Sequence, residues 1–155
     1  MPFDAFLKID GIDGESTDKT HPGEIEISSF SWGVANTGDG STGSGGGAGK
    51  AALQDFSFSM ATSKASPNLM LACATGRRLP QAALTLRRGG FEFLKIKLAD
   101  CLVSSYQLAG DKTSASEDPN SPHDSMTIRF VKIDFLYTVQ RTGETVETLY
   151  DSTMS

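Results

Sequence analysis

Between Phe56 and Ala61 the chain alternates without a break: Phe56, Phe58 and Met60 are large and apolar, while Ser57, Ser59 and Ala61 are small. In an extended backbone successive side chains point to opposite faces, so this stretch puts one face in a core and shows small groups on the other. The same period recurs along the chain. Ala5, Leu7 and Ile9 alternate with Phe6, Lys8 and Asp10; Ile25 and Ile27 with Glu24 and Glu26; Leu84 and Leu86 with Thr85 and Arg87; Leu94, Ile96 and Leu98 with Lys95 and Lys97. Such a chain is mainly β. Two phase breaks refine the picture. After Ile27 the large residues become Phe30 and Trp32, which predicts a β-bulge near Ser28 or Ser29. A second break separates Met126-Ile128-Phe130 from the run Val131 to Val139, within a stretch too long for a flat strand. A long, bulged, curved strand of that kind closes a barrel, so a small antiparallel β-barrel is expected.

One helix interrupts the strands, at about residues 67–75. Ser66 reads as its N-cap, Pro67 as its first residue and Gly76 as a left-handed terminator. Leu69, Met70 and Cys73 fall on the face expected to plug the barrel, and Arg77 and Arg78 suit the negative pole of the helix. The length of 155 residues and mass of 16.5 kDa fit one domain, residues 1–155. Two long loops punctuate it. Residues 38–49 hold seven of the sixteen glycines, and residues 110–124 are polar with Pro119 and Pro122. Loops of that length mark function or disorder in compact domains.

Composition excludes several classes of partner. Nineteen acidic against fourteen basic residues give a net charge of -5, a field that repels phosphate backbones and anionic lipid. Neither nucleic acid nor membrane insertion is expected: the longest apolar run, Leu69 to Ala74, is six residues, against about 20 for a membrane-spanning helix. The N-terminal stretch carries Asp4 where a signal peptide needs basic residues and then an apolar run, so synthesis in the cytoplasm is expected, with any export proceeding without a cleaved signal. Cys73 and Cys101 lie in apolar surroundings without CxxC spacing and read as buried, reduced core residues.

Catalytic and cofactor chemistry fails test by test. Gly38, Gly40 and Gly43 spell GxGxxG after a strand, but residues 50–54 lead into the alternating strand at 56–60, so no helix N-terminus follows to hold a pyrophosphate. Ser44 and Ala51 stand where a P-loop beside Gly49-Lys50 would need Gly and Ser or Thr. His21 and His123 both sit in polar, turn-like stretches, and no serine has the spacing of a nucleophile elbow. Asp10, Asp13, Glu15 and Asp18 lack the order of an EF-hand and read as a solvated hairpin tip. No catalytic residue, cofactor site or metal site is assigned. What remains is geometric: a barrel, a helix, and a glycine-rich arm able to reach about 40 Å when extended. That arm suits contact with a neighbouring subunit, or an unstructured hairpin tip.

The run Gly14-Glu15-Ser16-Thr17-Asp18-Lys19-Thr20-His21, followed by Glu24-Ile25-Glu26-Ile27 and Phe30-Ser31-Trp32-Gly33, resembles the N-terminal signature of the haemolysin co-regulated protein family, Hcp, of type VI secretion systems. The resemblance continues through Gly46-Gly47-Ala48-Gly49-Lys50, Gln54-Asp55-Phe56-Ser57-Phe58, Ser66-Pro67-Asn68-Leu69-Met70, Leu84-Thr85-Leu86-Arg87 and Leu102-Val103-Ser104-Ser105. It is weakest over residues 110–124 and after Val139, and no extra C-terminal domain beyond the barrel is expected. The resemblance implies a fold like that of phage tail tubes and a structural role. Hexameric rings would stack into a tube, driven out by a contractile sheath behind a spike protein, with small effector proteins carried in the lumen. It also implies secretion from the bacterial cytoplasm without a cleaved signal. In that setting the arm of Gly38, Gly40, Gly43, Gly45, Gly46, Gly47, Gly49 and Lys50 is expected to contact an adjacent subunit or ring, and Ser29 and Ser31 to face the lumen. The alternative is a stand-alone ligand-binding barrel or small hydrolase dependent on His21 or His123.

Overall fold

The computed structural model describes residues 2–36, 51–110 and 122–154. Eleven strands, one α-helix and a short 3-10 turn are formed among them: β1 (Asp4–Ile9), β2 (Ile25–Glu26), β3 (Ser29–Ser31), β4 (Val34–Asn36), β5 (Ala51–Leu53), β6 (Phe56–Ala61), α1 (Ala65–Thr75), β7 (Arg78–Arg88), β8 (Phe91–Ala109), β9 (His123–Arg129), β10 (Lys132–Thr138) and β11 (Thr145–Asp151), with the turn over Ser152–Met154. The fold is the expected mainly β, antiparallel one with a single short helix. No helix among the described residues is long and apolar enough to cross a membrane.

The main sheet runs β2-β1-β7-β8-β9-β6-β3. Its first and last strands are consecutive pieces of chain, and their junction closes the barrel. The Ile27 N–H donates to the Ala5 carbonyl (3.1 Å), whereas the Ser28 N–H donates to the Ser59 carbonyl (2.8 Å). The phase break at Ser28 and Ser29 is therefore a corner at which the chain changes partner strand, from β1 to β6, and not the bulge expected there. A strand that changes neighbours also changes which face must be apolar, which is why the alternation slips by one.

The second phase break also has a different cause. β9 and β10 both pair with β8 and share a register at their junction: Leu102 faces Arg129, and three residues further along each strand Ala99 faces Lys132, while further into β9 the register shifts by one between Val103 and Ser105. The interruption at Phe130 and Val131 lies opposite the bend in β8, where Asp100 takes a left-handed φ of 56°. On the other side of β8, Pro80 falls between the pairs Leu79–Cys101 and Gln81–Ala99. Proline has no N–H to give, so the ladder is released at that point and Asp, which tolerates the left-handed region, absorbs the turn. The long bent strand is thus β8, of nineteen residues, while residues 123–138 divide into two. Past the bend the sheet forks: β9 continues to β6 around the barrel, and β10 continues to β11 in a two-stranded wing.

Alternating residues fill the barrel. Leu7, Ile9, Phe56, Phe58, Met60, Leu84, Leu98, Val103, Met126 and Ile128 are buried, each contributing about 1.5–3 kcal/mol by removal from water. Cys101 is buried and free, and burial pushes its thiol up to about 11; Cys73 is half-buried and free. Helix α1 closes one side, with Ala65, Ser66, Leu69 and Ala72 inward. Met70, expected on that face, is exposed. The helix starts at Ala65, earlier than Ser66 as cap would allow, because Ser66 is needed elsewhere: its hydroxyl accepts from the Ser63 N–H (3.0 Å) and donates to the fully buried Asp124. Asp124 also accepts from Thr62 (2.7 Å) and Tyr106 (2.9 Å), so three hydroxyls satisfy it and tie the helix entrance to β8 and β9. Gly76 ends the helix as expected, at φ 68°.

Candidate functional site

Three surfaces outside the core carry features that packing alone does not demand. The first is a ladder of hydroxyls. On β6, Ser57 and Ser59 point away from the core that holds Phe56, Phe58 and Met60. The register extends that face across four strands. One row runs Ser29, Ser59, Ser125 and Gln107; the next runs Ser31, Ser57, Thr127 and Ser105. Ser29 and Ser31, expected to face a lumen, are exposed on β3 and form one end of these rows. Ser29 and Ser59 bond through their hydroxyls, and Thr127 Oγ1 bonds both Ser104 and Ser105 at 2.6 Å. The eight positions include no charge. Asp55 lies beside the face, accepting from Ser104 (2.7 Å) and 3.6 Å from Arg129. With uncharged side chains at all eight positions, the ladder offers hydrogen bonds and a smooth surface.

The second surface is the wing. Strand β11 pairs with β10 alone. It exposes Val146 and Leu149, the latter at 71%, and Tyr137 on β10 and Val34 on β4 are exposed as well. Between the wing and the β4–β5 ribbon lies an apolar groove of about 380 Å³, lined by Trp32, Val34, Leu53, Phe135, Tyr137 and Val146 among others. The indole N–H of Trp32 is buried and lacks an acceptor among the described residues. The β4–β5 ribbon pairs Asn36 with Ala51, so the two roots of the glycine-rich arm leave the body side by side. Gly38, Gly40, Gly43, Gly45, Gly46, Gly47, Gly49 and Lys50 themselves lie outside the described residues, as do residues 111–121 of the second long loop.

The third surface lies over the outer face of β1, β7 and β8, where the segment that follows β1 folds back. Asp10, Asp13 and Glu15 are exposed, as read for a solvated tip, with Asp10 and Gly11 in a turn between Ile9 and Ile12, whereas Asp18 is half-buried and tied to the barrel. Asp18 receives two bonds from the Arg87 guanidinium (2.8 and 2.9 Å), which hold its carboxyl far below the usual range. Asp4 takes a further bond from Arg87 (3.0 Å). Glu15 accepts the Lys64 N–H at the helix entrance (2.7 Å). His21 is buried, stacked on Phe6 with ring centroids 4.5 Å apart, while the Arg87 guanidinium stands 4.9 Å from the same Phe6 ring. Its Nδ1 lies 3.0 and 3.1 Å from the Glu24 carboxylate and its Nε2 2.7 Å from Glu92. Burial pushes the His21 ring down, and the bonds to Glu24 and Glu92 outweigh it, so the net shift is upward. His21 opens a turn, as read, whereas His123 is no turn residue and opens β9 opposite Ala61. The two histidines are thus in separate places, and His21 has both nitrogens engaged by carboxylates. Among the described residues no group of three or more His, Cys, Asp or Glu is arranged to hold a metal ion.

The chain is a closed antiparallel barrel with a plugging helix, and solved proteins share that architecture. The family model described as type VI secretion system effector, Hcp, matches residues 6–137. The protein hcp1 of Pseudomonas aeruginosa is 41% identical over 139 residues, covering 87% of this chain and 84% of that protein. Among solved structures, Hcp1 of Salmonella typhimurium is 33% identical with a TM-score of 0.85 over 100% of this chain and 98% of its own. A type VI secretion system effector from Yersinia pestis is 31% identical with a TM-score of 0.79, covering 96% and 99%. The chain belongs to the Hcp family: it is a secreted, structural protein of the type VI secretion apparatus and not an enzyme.

Proposed function

We propose that this chain, acting as one unit over residues 1–155, is the inner-tube subunit of a type VI secretion apparatus. Six copies close into a ring, and rings stack into a hollow tube that lies within a contractile sheath, behind a spike protein. The chain is made in the bacterial cytoplasm and expelled with the tube, without a cleaved signal. The observation that carries the ring is the wing. An edge strand bearing Val146 and Leu149 beside an apolar groove is a hazard on a free monomer, and a neighbour in a closed ring covers it. The two roots of the arm emerging side by side support a role for Gly38 to Lys50 in reaching the next subunit or ring. The ladder that begins at Ser29 and Ser31 supports a lumen wall along which small effector proteins ride, because an uncharged face of short side chains neither grips nor repels a passing surface.

Native mass by light scattering after size exclusion tests the ring. Six copies of 16.5 kDa give 99 kDa, and that species is expected for the wild type. Replacing Val146 and Leu149 together by Asp should shift it to the 16.5 kDa monomer. A wild type that stays monomeric at high concentration, or a double variant that keeps the 99 kDa species, would overturn the wing as the ring contact. Deleting residues 40–47 should spare the ring and shorten the tubes seen by electron microscopy. Tubes of normal length in the deletion would remove the arm from stacking.

A further inference from the structure

The segment from Gly14 to Glu24 is fastened to the barrel in an unusual way. Its backbone bonds are internal or at its own root: Gly14 N–H to Gly23 O (2.8 Å), Gly23 N–H to Ser16 O (2.8 Å) and Ser16 N–H to Glu24 O (3.0 Å). Gly14 fits there because a Cβ would come within 2.4 Å of the Glu24 carbonyl oxygen. No ladder joins the segment to β7 or β8. The side chains make that junction, and they do so by charge: Asp18 on Arg87, and His21 on Glu92.

The His21 junction depends on one proton. A neutral imidazole carries one N–H and one lone pair, whereas an imidazolium donates from both nitrogens. Here both nitrogens face carboxylates, Nδ1 that of Glu24 and Nε2 that of Glu92, so both contacts are hydrogen bonds in the imidazolium. Deprotonation turns one of them into a lone pair set against a carboxylate within a buried site. Other charges on this face do not replace the lost proton. From β1 come Asp4 and Lys8, from the β2 end Glu24 and Glu26, from β7 Arg87, from β8 Glu92 and Lys95, and from the segment itself Asp18. Arg87 is engaged by Asp18 and Asp4 beside Phe6, and Lys95, 3.4 Å from Glu92, leaves Glu24 uncompensated.

We propose that residues 14–24 form a strap held shut by the proton on His21, and that losing it frees the strap from the β7–β8 end while the barrel stays folded. Because Glu15 holds the Lys64 N–H, opening also loosens the entrance to α1. The His21 equilibrium is raised by its two carboxylate partners, so the closed state extends above the ordinary imidazole value of about 6.5 and the open state lies on the alkaline side of the folded value.

Hydrogen exchange on the full chain, corrected for the intrinsic pH dependence of exchange, tests this. From pH 6 to pH 9 the amide of Lys64, whose acceptor Glu15 belongs to the strap, should lose at least about tenfold in protection relative to Val103 and Ile128 in the barrel, the scale of one charge-assisted hydrogen bond. The Glu92→Gln variant, which keeps the shape, should move the midpoint of that loss to lower pH, and His21→Gln should leave the Lys64 amide weakly protected at both values. Nitrogen shifts of the His21 ring should show both nitrogens protonated at pH 6. A Lys64 amide whose protection follows the barrel from pH 6 to 9, a midpoint unmoved by Glu92→Gln, or a neutral ring at pH 6 would each overturn the proposal.

Discussion

The barrel wears two opposite kinds of outer face. Over β2, β1, β7 and β8 it is covered by the strap, a charge-fastened second layer with Phe6 at its centre, 2% exposed although it sits on the outward phase of β1. Over β3, β6, β9 and β8 it is bare, two rows of hydroxyls and one amide with nothing laid across them among the described residues. Both begin from the same strand geometry, so the difference lies in what the outward positions carry. An aromatic ring and charged groups recruit a cover; short neutral groups need none and leave the surface free for contact with another protein.

Substitutions that strike the two faces should therefore differ in size. The largest loss is expected for Phe6→Ala, about 3–5 kcal/mol by denaturant unfolding, since a packed ring is removed from between the strap and the sheet. The strap should also become open to trypsin at Lys19 well before the barrel unfolds. Gly14→Ala follows, at about 1–3 kcal/mol, because the new methyl meets backbone that cannot yield. Changing pH separates the faces next. His21, raised in the folded state, contributes stability that is full below its ordinary value of about 6.5 and is lost as pH rises through the folded value. Glu92, lowered, contributes above its ordinary value of 4.5 and loses this as pH falls through the folded value. Unfolding free energy should thus fall from pH 6 to pH 9 in the wild type and in His123→Ala, and stay flatter in His21→Gln. Smallest are Ser57→Ala and Ser125→Ala, each within about 0.5 kcal/mol. A loss in either as large as that of Gly14→Ala would mean that the ladder holds the fold together and is not free for contact.

The bare face was legible in the sequence and the strap was not, for a physical reason. Period two is a local signal, so the strand at Phe56 to Ala61 and the outward serines could be read from six residues, and Gly76 marked the end of a helix by its own conformational freedom. The partners of the strap are remote: Arg87 lies 69 residues from Asp18, and Glu92 lies 71 from His21. Without them His21 and Asp18 look like ordinary turn residues, and Phe6 like an exposed exception to its strand. The Hcp signature marked the segment as distinctive without saying what it touches. The two phase breaks were visible too, but alternation records that the buried face changes and not why. A corner between strands and a bend opposite Pro80 leave the same trace as a bulge.

The forked course of β8 has a mechanical side. Its nineteen residues have a contour of about 60 Å at strand rise. One half is stitched between β7 and β10, the other is bound to β9, and β7 reaches past the bend. A load applied to the wing along that strand must shear many backbone bonds at once, where a wing hung from a loop would peel away bond by bond. Strand β8 thus acts as a beam running from the wall into the bracket, bent at Asp100.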